Sequence, residues 1–291
     1  MWAIFTLIAA AAQTARNAMQ RDLIGKIGAI GATQVRFLFG LPFSLLFLAG
    51  VEAALQLPLP AWDARSLAFV GIGALAQIAA TALMLSAMRR QSFVVVVAFT
   101  KTEAAQVALF ALVFLGEKPT GLLIASIALA TLGVFLLTTK IDISRATAGA
   151  SAAGLVSAAF FAIAALSFRQ AELALDTPSY VLAATLVLVD ALLLQTVILF
   201  GWLAAFDRAL MRSIVGHWRG SLTAGFMGAL ASQFWFLAFA LSPAARVRTL
   251  ALVEVLFAQF VSARVLKERF GARELIGIAL IVIGAILIVN G

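Results

Sequence analysis

KTEAAQVALFALVFLGEKP, residues 101–119, has a counterpart in LVEVLFAQFVSARVLKERF, residues 252–270. Glu103 falls on Glu254, Leu115 on Leu266 and Glu117 on Glu268, each 151 residues further on. The register holds outward from there: Ala87 meets Ala238, Ile127-Ala128-Leu129 meets Ile278-Ala279-Leu280, and Gly133 meets Gly284. A duplicated apolar unit with an acid at the same place in each copy suggests two related half-sites facing one cavity, an architecture common in secondary transporters.

The composition sets the solvent. The 291 residues are 64% hydrophobic and 12% charged, too few polar groups to cover a soluble surface. Apolar runs of ~20 residues, the length that crosses ~30 Å of hydrocarbon, recur from end to end. The absence of cysteine excludes disulfides and thiolate chemistry, and the lone His217, beside Arg219, cannot build a His triad or cluster. No metal and no cofactor is expected. The net charge of +8 reads as basic membrane loops, not as a nucleic-acid surface. Met-Trp-Ala-Ile-Phe at the start carries no positive segment, so the first helix is expected to be retained.

The fold class that follows is an all-α polytopic membrane protein, because open strands leave backbone groups unsatisfied in lipid. Ten spans are predicted: 1–19, 30–50, 66–88, 92–115, 119–139, 149–170, 179–203, 220–241, 245–265 and 272–290. Pro58 and Pro60, Pro119, Pro178 and Pro243 mark breaks, and Pro42 is expected to kink the second span. The spans divide into repeats of five, 1–140 and 149–291, joined by a linker at 141–148. Five is odd, so the second repeat enters the membrane inverted. Loops after odd-numbered spans carry twelve basic residues (among them Arg21, Lys26, Arg89, Arg90, Lys140, Arg208, Arg212 and Lys267) against three to five on the other side. The positive-inside rule then places both termini outside the cytoplasm of a multi-pass inner-membrane protein.

These features resemble the drug/metabolite transporter superfamily in its ten-helix, EamA-like branch. The resemblance rests on Leu115-Gly116-Glu117-Lys118-Pro119-Thr120 followed by Gly133, and on Leu266-Lys267-Glu268-Arg269 followed by Gly277 and Gly284. It rests also on Arg36-Phe37-Leu38-Phe39 and on Leu252-Val253-Glu254 before an apolar run. Ala104 and Val255 stand where the family often has proline, and Lys267 stands opposite Gly116. The resemblance implies a proton-coupled or exchange transporter of small organic metabolites. It also implies a midplane site formed by spans one, three and four with six, eight and nine.

Charge inside a membrane costs on the order of 2.5–3.5 kcal/mol per residue, so each such group needs a reason. Glu103 and Glu254 form the leading pair, either as exchangeable proton carriers or as fixed partners of buried cations. Lys101 precedes Glu103 by two residues, a turn of ~200° on a helix, so the two point to different faces. It either faces the cavity or pairs with Asp190. Arg36 reads as a structural or snorkelling group ahead of a ligand contact. Arg16 and Arg169 read as helix-end anchors. Arg246 and Arg248 read either as a cavity mouth or as interfacial anchors. Gln77 and Gln233 are second-rank cavity residues. Trp235 reads as lipid-facing ahead of stacking on a substrate. Gln13, Thr14, Asn17, Gln34, Thr81, Thr100, Gln106, Gln195 and Gln259 complete the polar set, chiefly as contacts between helices.

The function expected is alternating-access transport of a small metabolite. Intramembrane bases outnumber acids, which tilts the substrate towards an amino acid or other anionic or zwitterionic molecule. Efflux of lipophilic cations coupled through Glu103 and Glu254 is the second reading. A membrane enzyme on a lipid carrier is the reading of another class, disfavoured because no HExxH or paired-Asp constellation occurs. The chain is thus not read as an enzyme, and its expected partners are a small-molecule substrate, the lipid bilayer and protons.

Overall fold

A computed structural model describes residues 1–61, 63–89, 96, 99–137, 145–257 and 272–290. The described chain is helical, with no strand among the described residues. Helix α1 is Trp2–Leu38, α2 Leu41–Leu55, α3 Ala64–Met88, α4 Glu103–Leu115 and α5 Gly121–Leu137. In the second half α6 is Arg145–Ala174, α7 Tyr180–Phe206, α8 Arg208–Gly216, α9 Trp218–Leu241, α10 Ala244–Leu250 and α11 Ala272–Asn290. Among the described residues, six helical stretches are long and apolar enough to cross a membrane. One of them, Trp2–Leu55, has 54 residues and at ~1.5 Å per residue is long enough to cross twice. Large apolar side chains such as Leu46, Val113, Phe114, Ile276 and Ile286 are exposed on the outside, where lipid replaces water as the partner.

Local chemistry sets the ends. Asp63 accepts from the Ser66 N–H at 2.8 Å to open α3, and Asp207 accepts from Leu210 N–H at 2.9 Å to open α8. Gly116 closes α4 in the left-handed region (φ 69°), where a side chain is strained, and the Glu117 N–H returns to the Ala111 carbonyl.

The boundaries differ from expectation in two places. The boundary between the first two spans falls within 20–29 but is a sharp kink at Gly28 (φ 69°, ψ 177°) between two helical segments, not a loop. Arg21 and Lys26 are therefore exposed residues of a helix, not of a loop. Pro42 interrupts span two as expected: helical pairing lapses at Phe39-Gly40, both still in the right-handed helical region, and resumes as α2 with the proline in its first turn. The short α8 was not foreseen and packs Leu210 and Ile214 beside α1. Of the expected linker 141–148, residues 145–148 already belong to α6; residues 138–144, the start of span four, the end of span nine and the Lys267-Glu268-Arg269 turn lie outside the described residues, with Arg90, Lys140 and Gln259.

The most extensive helix pairings join the first half to the second: α1 with α9, α3 with α6, and α5 with α11. Moving each residue 151 places exchanges the first two pairings and returns the third to itself. The third pairing shows this at atomic scale. A Cβ on Gly133 would lie 2.6 Å from the Gly277 carbonyl oxygen, and one on Gly284 2.9 Å from that of Ser126. Gly284 corresponds to Gly133 and Gly277 to Ser126, so a single close contact occurs twice. Small residues here let two backbones touch.

Both repeats also change pitch at the same place. Thr102 N–H bonds to the Phe99 carbonyl and Ala104 N–H to that of Lys101, three residues back, just where α4 begins at Glu103. In the second repeat Ala251–Val253 is a 3₁₀ turn, immediately before Glu254. Tightened turns inside longer helices often mark hinges. Here each one presents an acid.

Candidate functional site

The two acids meet in a buried chamber between α1, α3, α4, α6, α9 and α10 and the residue after the 3₁₀ turn, Glu254. Glu254 is 2% exposed. Its carboxylate receives the Lys101 ammonium, the Gln13 side-chain N–H at 2.9 Å and the Asn17 side-chain N–H at 3.3 Å. The orientation of both amides is set from behind. Trp235 Nε1 donates to Gln13 Oε1 at 3.0 Å, and Arg16 donates to Asn17 Oδ1 from Nη2 at 2.6 Å and from Nε at 3.2 Å. With each oxygen occupied by a donor, each NH₂ is left to face the acid.

Glu103 is met differently. The Arg248 guanidinium approaches it to 2.8 Å, off the N–H axis, so the contact is an ion pair without a hydrogen bond. Arg248 is stacked 4.4 Å from the Trp235 ring centroid and 5.1 Å from that of Phe239, a cation–π arrangement favoured when water is excluded. Lys101 belongs to the first half and Glu254 to the second; Arg248 belongs to the second and Glu103 to the first. The two pairs cross between the halves.

Arg16, Arg36, Lys101 and Arg248 thus line the chamber against only two carboxylates. Arg36 Nη1 donates to Thr81 Oγ1 at 3.0 Å, while Arg36 Nε and Arg16 Nη1 are buried without a protein partner. Among the ten candidate residues, the structure gathers Glu103, Glu254, Lys101, Arg36, Gln77, Trp235 and Arg248 at this chamber. Gln77 accepts from Gln195 at 2.8 Å.

Three candidates lie elsewhere. Gln233 is buried and donates to Thr185 on α7 at 2.8 Å. Arg246 stacks over Trp2, donates to the Ile288 carbonyl at 3.1 Å and lines a different cavity of about 330 Å³ with Glu117 and Lys118. Asp190 is half-buried on α7 and is not among the chamber's lining residues; the cation offered to it, Lys101, pairs with Glu254 instead.

Two readings change. Trp235 does not face lipid: it is 3% exposed and its ring lies under Arg248. Arg16 is not an anchor at a helix end: it is 1% exposed, mid-length in α1. Arg169 stays near its helix end and caps the Phe239 and Ser242 carbonyls. Gln13, Arg16 and Asn17 recur at i, i+3 and i+4, one face of a helix. That polar stripe in an apolar span is the signal that marks them in the sequence.

Fold and site together define a polytopic helical membrane protein with ionised groups sealed between two matched halves. The model of the EamA-like transporter family matches residues 1–139 and again 149–290. The chain belongs to the EamA-like transporter family, part of the drug/metabolite transporter superfamily, whose members are membrane transporters rather than enzymes. A solved crystal structure superimposes with a TM-score of 0.70 at 12% identity, covering 98% of this chain and 94% of that one, which bears on the fold alone. No curated protein matches the chain.

Proposed function

We propose that this transporter moves a small anionic or zwitterionic metabolite, such as an amino acid or organic acid, by alternating access. Transport is coupled to protons or proceeds by exchange. The observation that carries this reading is the charge of the chamber, four cations against two carboxylates, with donors of Arg16 and Arg36 left over. Bringing a further negative group there offsets an otherwise costly excess of buried positive charge.

The matched pairings of α1 with α9 and of α3 with α6 support two inverted repeats that rock about this chamber. The basic-loop bias supports termini on the non-cytoplasmic side of the inner membrane. The geometry runs against efflux of lipophilic cations: both acids already hold cations of the protein, and the Trp235 ring is covered by Arg248.

The test is uptake into proteoliposomes of labelled amino acids and short organic acids. Saturable uptake accelerated by unlabelled substrate on the far side is the expected result and separates a carrier from a channel. Uptake confined to quaternary ammonium compounds would reverse the charge assignment.

A further inference from the structure

We propose that Gln13, Asn17 and Lys101 form the carboxylate site for the substrate, and that Glu254 occupies it as a built-in stand-in which the substrate displaces. This deepens, and rests on, the anion-transport reading above. Three side-chain donors converge on one carboxylate, and the two amides are turned towards it by Trp235 and Arg16. A group of that shape recognises any carboxylate of similar reach, whether or not the chain supplies it.

Space makes the exchange necessary. The chamber has a free volume of about 20 Å³, close to the ~10–15 Å³ that one water needs. A metabolite carboxylate therefore reaches Lys101 only by taking the place of the one already there.

The displaced Glu254 has somewhere to go. Arg16 lies within electrostatic reach of Glu254, and its Nη1 is buried with no partner. The backbone also has a way to move. Glu254 follows the 3₁₀ turn Ala251–Val253. Relaxing three residues from ~120° to ~100° each swings the next side chain by about 60°. Among the described residues Lys101–Glu254 is one of two ion pairs that cross between the halves, so its replacement by substrate removes one of the charged ties that hold them in this arrangement. Binding and conformational change are then a single event, with the substrate's differential contacts driving the shift.

The experiment uses the purified full-length protein. L-alanine, L-glutamate, lactate and succinate, each beside its amide, are screened by thermal shift and by direct binding, and any that bind are followed in proteoliposomes. Wild type is expected to bind a carboxylate and not its amide. Glu254→Gln removes the internal competitor and is expected to bind the same carboxylate about tenfold more tightly while losing turnover. Lys101→Met is expected to lose at least about tenfold in affinity. The double variant Lys101→Met with Glu254→Gln removes both buried charges. It is expected to unfold close to wild type yet bind as weakly as Lys101→Met, which separates lost recognition from lost folding.

If Glu254→Gln binds no more tightly than wild type, or the double variant keeps wild-type affinity, the pair is only a staple. Anion transport by wild type would then stand without this site. If no carboxylate binds either wild type or Glu254→Gln, the site and the anion-transport reading both fall.

Discussion

Glu103 and Glu254 occupy the same place in their repeats and keep different company. Glu254 sits among three donors on flexible or amide side chains, two of them from one stripe of α1. Glu103 faces a single guanidinium wedged over two aromatic rings. The cations are not repeat-equivalent either: 151 residues from Lys101 stands Leu252, and 151 before Arg248 stands Val97. Duplication has preserved the scaffold and the acids while the rest of the site diverged. On the proposal above, one acid is locked and the other is exchangeable.

The largest effect is expected where the lock is broken. Arg248→Met leaves Glu103 buried without its ion-pair partner, the situation that costs about 3–5 kcal/mol when one partner of a buried pair is removed. Lys101→Met is expected to cost less, about 1–3 kcal/mol, because Glu254 keeps Gln13 and Asn17. Thermal unfolding in detergent measures the difference. Equal losses, or a larger one for Lys101→Met, would show the two acids to be interchangeable and end the contrast. Adding Glu103→Gln to Arg248→Met should restore most of the stability.

The scaffold should behave in the opposite way, symmetrically. Gly133→Ala and Gly284→Ala each push a methyl against a carbonyl oxygen, at 2.6 Å and 2.9 Å. Overpacking of this kind costs about 1–3 kcal/mol. The two variants should lower the unfolding midpoint by similar amounts, and both exceed a control at Gly201, where a Cβ meets nothing within 4 Å. A large loss at one glycine and none at the other would break the equivalence between the repeats.

This division also explains how far the sequence could be read. The acids, the glycines and the 151-residue offset lie in strings that can be compared directly. The pairing of Lys101 cannot be read that way, because its partner is 153 residues distant and no local periodicity connects them. Arg16 was misplaced for another reason. Arg21 and Lys26 suggest a loop after residue 19, yet both are exposed positions of a helix that continues to the kink at Gly28. Extending the helix moves Arg16 from the span's end to its interior. For Trp235 the sequence favours lipid, the usual place of membrane tryptophans, and that preference takes no account of an arginine arriving from another helix.

The smallest predicted effect tests the link between the two acids. Trp235 serves both: its ring supports Arg248 beside Glu103, and its N–H fixes Gln13 beside Glu254. Trp235→Phe keeps an aromatic face for Arg248 and removes the N–H, so Gln13 loses the donor that sets its orientation. Stability should fall by only about 1 kcal/mol, the net worth of one hydrogen bond. Carboxylate affinity should fall a few-fold, because the flipped amide presents an oxygen to the ligand. Trp235→Leu removes ring and N–H together, so it should lose the same affinity and, in addition, the cation–π support of ~1–2 kcal/mol. If Trp235→Phe leaves affinity untouched while Trp235→Leu abolishes it, the ring alone matters. The Glu254 side is then not organised through Gln13.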